Sequence, residues 1–257
     1  MTSVSNSPGR RVAWVQGASR GLGLALVQAL LRRDEDVVLV ASARHATSDE
    51  SLQCLRAAHP QRLRLVDVDL TDEASIATAS GALASLGGRL HLLCNVAGVL
   101  HEGDVQPEKK LADVDSATMH HVFAVNAFGP LLMVKHLAPF LRHGERAVII
   151  NVSARVGSIG DNRLGGWYAY RASKAAQNMF TRNIAVELSR TAPQVLCAAW
   201  HPGTVDTALS APFQRRLRPG QLQTPAAAAG ALLSCIATLG PQQHGCFLAY
   251  DGTTIPW

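Results

Sequence analysis

Val12-Ala13-Trp14-Val15-Gln16-Gly17-Ala18-Ser19-Arg20-Gly21-Leu22-Gly23-Leu24-Ala25-Leu26-Val27 reads as a strand, a glycine loop and the start of a helix. The apolar run Val12–Val15 lacks polar alternation, as expected of a strand covered on both faces. Glycines at 17, 21 and 23 permit a tight turn and a close approach of backbone to a ligand. The following helix aims free N–H groups and the positive end of its dipole at that turn, which suits a pyrophosphate. The spacing is Gly-x-x-x-Gly-x-Gly, not the Gly-x-Gly-x-x-Gly of other dinucleotide folds. Its weight comes from its place between strand and helix.

Outward from this loop, strands and helices alternate. Further strands are predicted at Val37–Ala41, Leu63–Val68, Leu90–Cys94, Ala147–Val152, Val195–Trp200 and near Cys246–Tyr250. One helix is expected to run unbroken from about Ser116 to Leu141, another from the Gly165-Gly166 break to about Arg190, and an Ala-rich one from Pro225. Thr71 is placed as the cap of the helix after the third strand. The alternation predicts an α/β fold, with a mostly seven-stranded parallel sheet and helices on both faces. It is read as one doubly wound (Rossmann) domain over residues 11–257, after a flexible tail at residues 1–10.

In such sheets the ligand lies at the carboxyl ends of the strands. An acid about 20 residues beyond the glycine loop would bind the ribose 2′-hydroxyl of NAD. Here that region reads Ala41-Ser42-Ala43-Arg44, and Arg20 sits inside the loop. A guanidinium fork fits a 2′-phosphate, whereas a carboxylate would repel it. NADP(H) is therefore expected in preference to NAD(H).

Tyr170 and Lys174 stand four residues apart on the helix after Gly165-Gly166, so both project from one face. An ammonium beside a phenol favours the phenolate, and a proton donor brought toward working pH suits carbonyl reduction. Tyr168 has Ala172 at the same offset, so the spacing selects Tyr170. Asn126 lies within an otherwise apolar helix, where a buried amide needs partners.

At 257 residues and 47% apolar content the chain can bury a large core, which excludes a disordered protein. No run of 18 or more apolar residues reads as a membrane span, and the first ten residues lack a secretion-signal core. The five cysteines are scattered, which excludes a disulfide framework or zinc motif and points to a reducing, cytoplasmic setting. The histidines show no metal spacing, and His120-His121 are expected to face opposite ways. Arg215, Arg216 and Arg218 cluster without interleaved aromatics, so nucleic acid is a poor partner. The apolar circumference of Val122–Leu141 predicts a homo-oligomer, a dimer or tetramer.

These motifs together resemble the short-chain dehydrogenase/reductase family over Val12 to Tyr250. They are Gly17-Ala18-Ser19-Arg20-Gly21-Leu22-Gly23, Asp69-Leu70-Thr71-Asp72, Asn95-Val96-Ala97-Gly98, Asn126, Tyr170-Arg171-Ala172-Ser173-Lys174 and Pro202-Gly203-Thr204-Val205-Asp206-Thr207. Gly157–Asn162, Gly165–Tyr168 and the C-terminal stretch are similar to the C-factor and sniffer-like carbonyl reductase branch. The resemblance implies NADPH-dependent reduction of a small aldehyde or ketone. Tyr170 would be the acid, Lys174 its pKa-lowering neighbour and holder of the nicotinamide ribose, and Asn126 the anchor of a relay water. Gly17, Ser19, Arg20, Gly21, Leu22 and Gly23 would line the phosphates, with Arg44 at the adenosine end. Asp69 and Leu70 would meet the adenine, Asn95, Ala97 and Gly98 the adenine ribose side, and Pro202, Gly203, Val205 and Thr207 the nicotinamide.

Two residues depart from the family's pattern. Gln16 stands where Thr is usual, which is expected to change a structural hydrogen bond. The catalytic serine belongs three residues before Gly157, and Ala154 occupies that place. Ser153 is the favoured substitute, by way of a bulge, with Ser158 and no serine as the alternatives. His201 is read as packing, the arginine cluster as a solvated face of a substrate lid, and Trp167 as a residue that could line the pocket. A cofactor-binding regulator of the same fold with little turnover is the competing function. An NAD-dependent dehydrogenase is a third, disfavoured by the missing acid.

Overall fold

The computed structural model describes residues 10–103 and 105–257, the side chain of Arg216 excepted. The expected tail, Arg10 aside, lies outside the described residues. Seven parallel strands form one sheet: β1 (Arg11–Gln16), β2 (Val37–Ala43), β3 (Leu63–Asp67), β4 (Leu92–Asn95), β5 (Ala147–Val152), β6 (Val195–His201) and, after two short strands, β9 (Phe247–Ala249). Their order is β3-β2-β1-β4-β5-β6-β9, so the chain reverses direction across the sheet between β1 and β4. The expected doubly wound fold is present. The short strands β7 (Thr204–Val205) and β8 (Leu222–Gln223) pair with each other outside the sheet. Nothing in the residue pattern predicts them.

Alternate strand residues feed two cores. Ala13, Val15, Leu39, Cys94, Val148 and Ile150 pack under α1 (Gly21–Arg33) and α7 (Pro225–Thr238). Val12, Trp14, Val40, Leu93 and Ile149 pack on the opposite face, beneath α3 (Glu73–Ser80), α5 (Gly129–Leu141) and α6 (Tyr168–Thr191). Each large side chain fully buried there contributes about 1.5–3 kcal/mol. α2 (Glu50–Ala58) flanks β3.

Two expectations are corrected locally. The helix after β3 is capped by Asp72, which accepts from Ala74 N–H, while Thr71 turns back to Asp69. The expected continuous helix from Ser116 is broken: α4 (Ser116–Phe123) passes through a π-helical turn, Ala124–Phe128, before α5 begins. By length and composition Ser116–Leu141 could cross a membrane, but here it packs against α3 and α6.

At the far end of the sheet from the strand carboxyl termini, His91, His143 and Glu145 converge. The backbone already engages both rings: Val12 N–H donates to His91 Nδ1, and His143 Nε2 bonds Leu90 O.

Candidate active site

α6 begins at Tyr168 and presents Tyr170 and Lys174 in its first two turns, both buried. Lys174 Nζ lies 6.0 Å from the centre of the Tyr170 ring and donates to Val152 O (2.9 Å) and Gln177 Oε1 (3.0 Å). The turn after β5 is pressed onto this helix: a Cβ on Gly157 would stand 2.8 Å from Lys174 Cβ. Burial brings the Lys174 ammonium down to about 7 and pushes the Tyr170 phenol above its ordinary range. In the folded chain desolvation thus outweighs the effect expected of the neighbouring cation, for both groups.

The N-terminus of α6 is capped from outside. Trp167, its first flanking residue, has φ +50° and no side-chain cap bond. Glu108 takes over: its backbone O accepts from Trp167 N–H (2.6 Å), and its carboxylate oxygens lie 3.2 and 3.3 Å from Ala169 N. Glu108 is only 3% exposed. A buried carboxylate is tolerated here because the helix terminus offers unpaired N–H groups and a positive dipole end. No periodicity marks Glu108 in its polar loop, and sequence reading passes over it.

Trp167 stands edge-on to Tyr170 (6.3 Å) and packs against Phe213 (4.6 Å), which also meets His101 (6.3 Å). Phe213 belongs to the short 3-10 turn Ala211–Arg216, so this turn and the loop after β4 share an aromatic wall beside Tyr170. Ile159 and Leu164, from the turn after β5, are 78% and 90% exposed nearby in sequence.

The π-helical turn carries Asn126. Its Oδ1 accepts from Val99 N–H (2.7 Å), and its Nδ2 donates to Val99 O (2.8 Å) and Ser173 Oγ (3.1 Å). The fully buried amide is therefore satisfied by the turn after β4 and by α6. π-Turns of this kind are frequent at functional sites. Gly98 sits between Asn126 and Lys174: a Cβ there would be 3.3 Å from Asn126 Oδ1 and 3.6 Å from Lys174 Nζ.

At the end of β5 no bulge intervenes. Ser153 N–H donates to Trp200 O and continues the ladder, and Ser153 Oγ donates to Asn178 Oδ1 at 2.7 Å, both side chains buried. The bulge expected at Ser153 is thus absent, and its hydroxyl proton is held by Asn178 of α6. Ser158 is buried and accepts from Asp161 N–H. Ala154 holds the intervening position with no hydroxyl. His201 is half-buried; desolvation, helped by the Arg155 charge and opposed by Asp251, lowers its pKa to about 4, and its Nδ1 has no partner among the described residues.

The dinucleotide side is a cradle. A Cβ on Gly23 would stand 1.9 Å from Gly17 O, and one on Gly17 (φ +86°) would stand 2.6 Å from Ala97 N. α1 starts at Gly21 with no side-chain cap at Arg20 and no acid in its first turn. Its terminal N–H groups are thus left for an anion. Ser19 and Leu22 flank this turn. Gln16 donates no cap but accepts from Ala97 N–H, the changed structural bond expected of it. Asn95 donates to Asn151 Oδ1 (2.8 Å), while its own buried Oδ1 has no partner among the described residues.

Asp69 accepts from both the N–H and the hydroxyl of Thr71, which holds its carboxyl below the usual range; Leu70 beside it is buried. Pro202 and Gly203 are fixed by Gln223, whose Nε2 donates to Pro202 O. Val205 is buried in β7, and Thr207 lies over the glycine loop, its methyl 3.0 Å from where a Gly21 Cβ would be. The residues present fit a nicotinamide dinucleotide: an uncapped helix start, a glycine turn packed too closely on its own backbone to admit a Cβ at Gly17 or Gly23, and the buried Asn95 Oδ1 with no partner among the described residues.

The chain's relatives agree with this geometry. Residues 11–218 match the short chain dehydrogenase family. The 1-hydroxy-2-glutathionyl-2-methyl-3-butene dehydrogenase of Rhodococcus sp. is 32% identical over 95% of this chain and 98% of its own. The C-signal of Myxococcus xanthus is 37% identical over 57% of this chain and 83% of its own. Among solved structures, the NADPH-bound carbonyl reductase from chicken fatty liver superposes with a TM-score of 0.84 at 31% identity, covering 96% of this chain and 99% of that one. The carbonyl reductase Sniffer of D. melanogaster superposes equally well, 0.84, at 27% identity, with the same coverage of each chain. With its glycine cradle, its Tyr170–Lys174 helix and these relatives along nearly its whole length, the chain belongs to the short-chain dehydrogenase family and is an NAD(P)-dependent oxidoreductase.

Proposed function

We propose that this enzyme reduces a small aldehyde or ketone with NADPH, Tyr170 giving the proton to the carbonyl oxygen. The observation that carries this reading is the burial of Tyr170 and Lys174 side by side at the strand carboxyl ends. When bound, the nicotinamide supplies the hydride. Tyr170, kept protonated by burial, is loaded as a donor at neutral pH. Lys174, with its charge poised at about 7, stabilises the phenolate by opposite charge until Tyr170 is reprotonated. Asn126 holds the turn of Val99 and so keeps Gly98 beside Lys174. The aromatic wall of Trp167 and Phe213 favours an apolar substrate body.

The preference for NADPH rests on Arg20 and Arg44 and on the lack of an acid after β2. The similarity to NADPH-bound carbonyl reductase supports it. Five free cysteines, three of them buried, accord with a reducing cytoplasm. A homodimer or tetramer is the proposed assembly.

The test is loss of reduced-nicotinamide absorbance across a panel of carbonyl compounds. Wild type should turn over at least one of them, and Tyr170→Phe should lose on the order of 10²-fold or more. Undiminished activity in Tyr170→Phe would refute the role of Tyr170. Ala154 favours one competing reading, a cofactor-binding regulator, as does the similarity to C-signal. Tight NADPH binding with no turnover of any carbonyl would select it.

A further inference from the structure

Arg44, at the end of β2, is already paired. Its Nη2 donates to Glu102 Oε1 at 2.5 Å, across 58 residues of sequence. The other oxygen of Glu102 lies 3.8 Å from His121 Nε2 on α4. Glu102 lies in the loop after β4, where it and Val105 exchange backbone hydrogen bonds in both directions and Gly103 has φ +57°. Arg44, Arg20 and His121 all act on this one carboxylate and hold its pKa below the usual range, Arg44 most strongly.

We propose that Glu102 is an internal occupant of the 2′-phosphate subsite, a carboxylate that a cofactor's 2′-phosphate must displace from Arg44. The inference rests on the NADP reading and deepens it. A guanidinium edge that donates to a carboxylate cannot donate to a phosphate at the same time. A 2′-phosphate taken on the Nη2 edge of Arg44 therefore breaks the pair and tolerates a nearby anion, while NADH, which has no 2′-phosphate, leaves it intact. Glu102 thus sets how strongly the enzyme discriminates between the two cofactors, and it does so from a loop that sequence motifs for cofactor choice do not include. The pair is partly exposed, 56% for Arg44 and 35% for Glu102. Its worth is therefore that of a surface ion pair, a factor of about two to five in affinity.

Dissociation constants for NADPH and NADH, measured by calorimetry on wild type, Glu102→Gln, Arg44→Ala and the double variant, test this directly. Glu102→Gln should bind NADPH about two- to five-fold more tightly and NADH as wild type does. In the Arg44→Ala background the same change should tighten NADPH clearly less than it does in wild type. Unchanged NADPH affinity in Glu102→Gln overturns the proposal. So does equal tightening with or without Arg44, which would reveal a general charge effect. Weakened NADH binding with NADPH unaltered also overturns it, since Glu102 would then be a ribose-hydroxyl ligand. If wild type binds both cofactors equally and Arg44→Ala changes neither, the NADP reading itself has failed.

Discussion

Glu108 caps the helix that carries Tyr170 from a loop 61 residues away, both carboxylate oxygens meeting Ala169 N–H. Tyr170 is the next residue, so the start of α6 and the aim of the phenol depend on an acid that lies outside the helix. Glu108→Ala should lower turnover with cofactor affinity little changed, because the bonds of Glu108 go to the start of α6 and not to the glycine loop. Lost capping typically costs about 0.5–2 kcal/mol. Glu108→Gln keeps an acceptor and should recover most of the turnover. If Gln restores nothing, or if NADPH affinity falls in step with turnover, the positioning role is wrong.

Ser153 and Ala154 make a paired prediction. Ser153→Ala leaves the buried Asn178 Oδ1 without its donor, which should destabilise the fold by about 1–3 kcal/mol and reduce turnover only modestly. Ala154→Ser places a hydroxyl at the family's serine position. Since removing one such donor elsewhere costs on the order of 10²–10³, the variant should turn over faster than wild type, by tenfold or more. Steady-state rates and urea unfolding on the two variants decide the matter. A Ser153→Ala enzyme that is stable but 10²-fold slower would return Ser153 to the chemistry.

Lys174 makes stability depend on pH. Its folded pKa of about 7 is below the unfolded value, so between the two the unfolded chain binds the extra proton and stability rises with pH. The gain approaches about 1.4 kcal/mol per pH unit. Above about pH 8.5 the buried thiols of Cys94 and Cys197, raised by desolvation, oppose it. Urea midpoints should therefore climb from about pH 7 to about 8.5 in wild type and stay level in Lys174→Met. A parallel climb in both proteins would exclude Lys174 as the source.

Oligomerisation is expected to use α6 more than the helix that first implied it. Val134 and Leu137 of α5 are buried within the chain, while Met179 and Val186 of α6 remain 60% and 39% exposed, next to the half-exposed Phe128 of the π-turn, which faces Phe180. Met179→Glu should weaken a dimer or tetramer and leave NADPH affinity unchanged. Light scattering at micromolar concentration checks this, and a wild-type monomer would end the argument.

The residue pattern alone determined the doubly wound sheet, the glycine loop and the Tyr170–Lys174 spacing. These are local: apolar runs report strands buried on both faces, glycines report close backbone approach, and an offset of four reports a shared helix face. The tertiary structure decided which distant groups meet. Glu108 against Ala169, Glu102 against Arg44 and Ser153 against Asn178 leave no period or motif, because each contact depends on how separate loops are carried to one end of the sheet. The π-turn at Asn126 belongs with them, since it forms where Val99 and Ser173 reward an out-of-phase helix with hydrogen bonds. Even the protonation of the central pair reversed for this reason: the sequence puts a cation beside a phenol, but only folding removes the water, and desolvation then outweighs the charge.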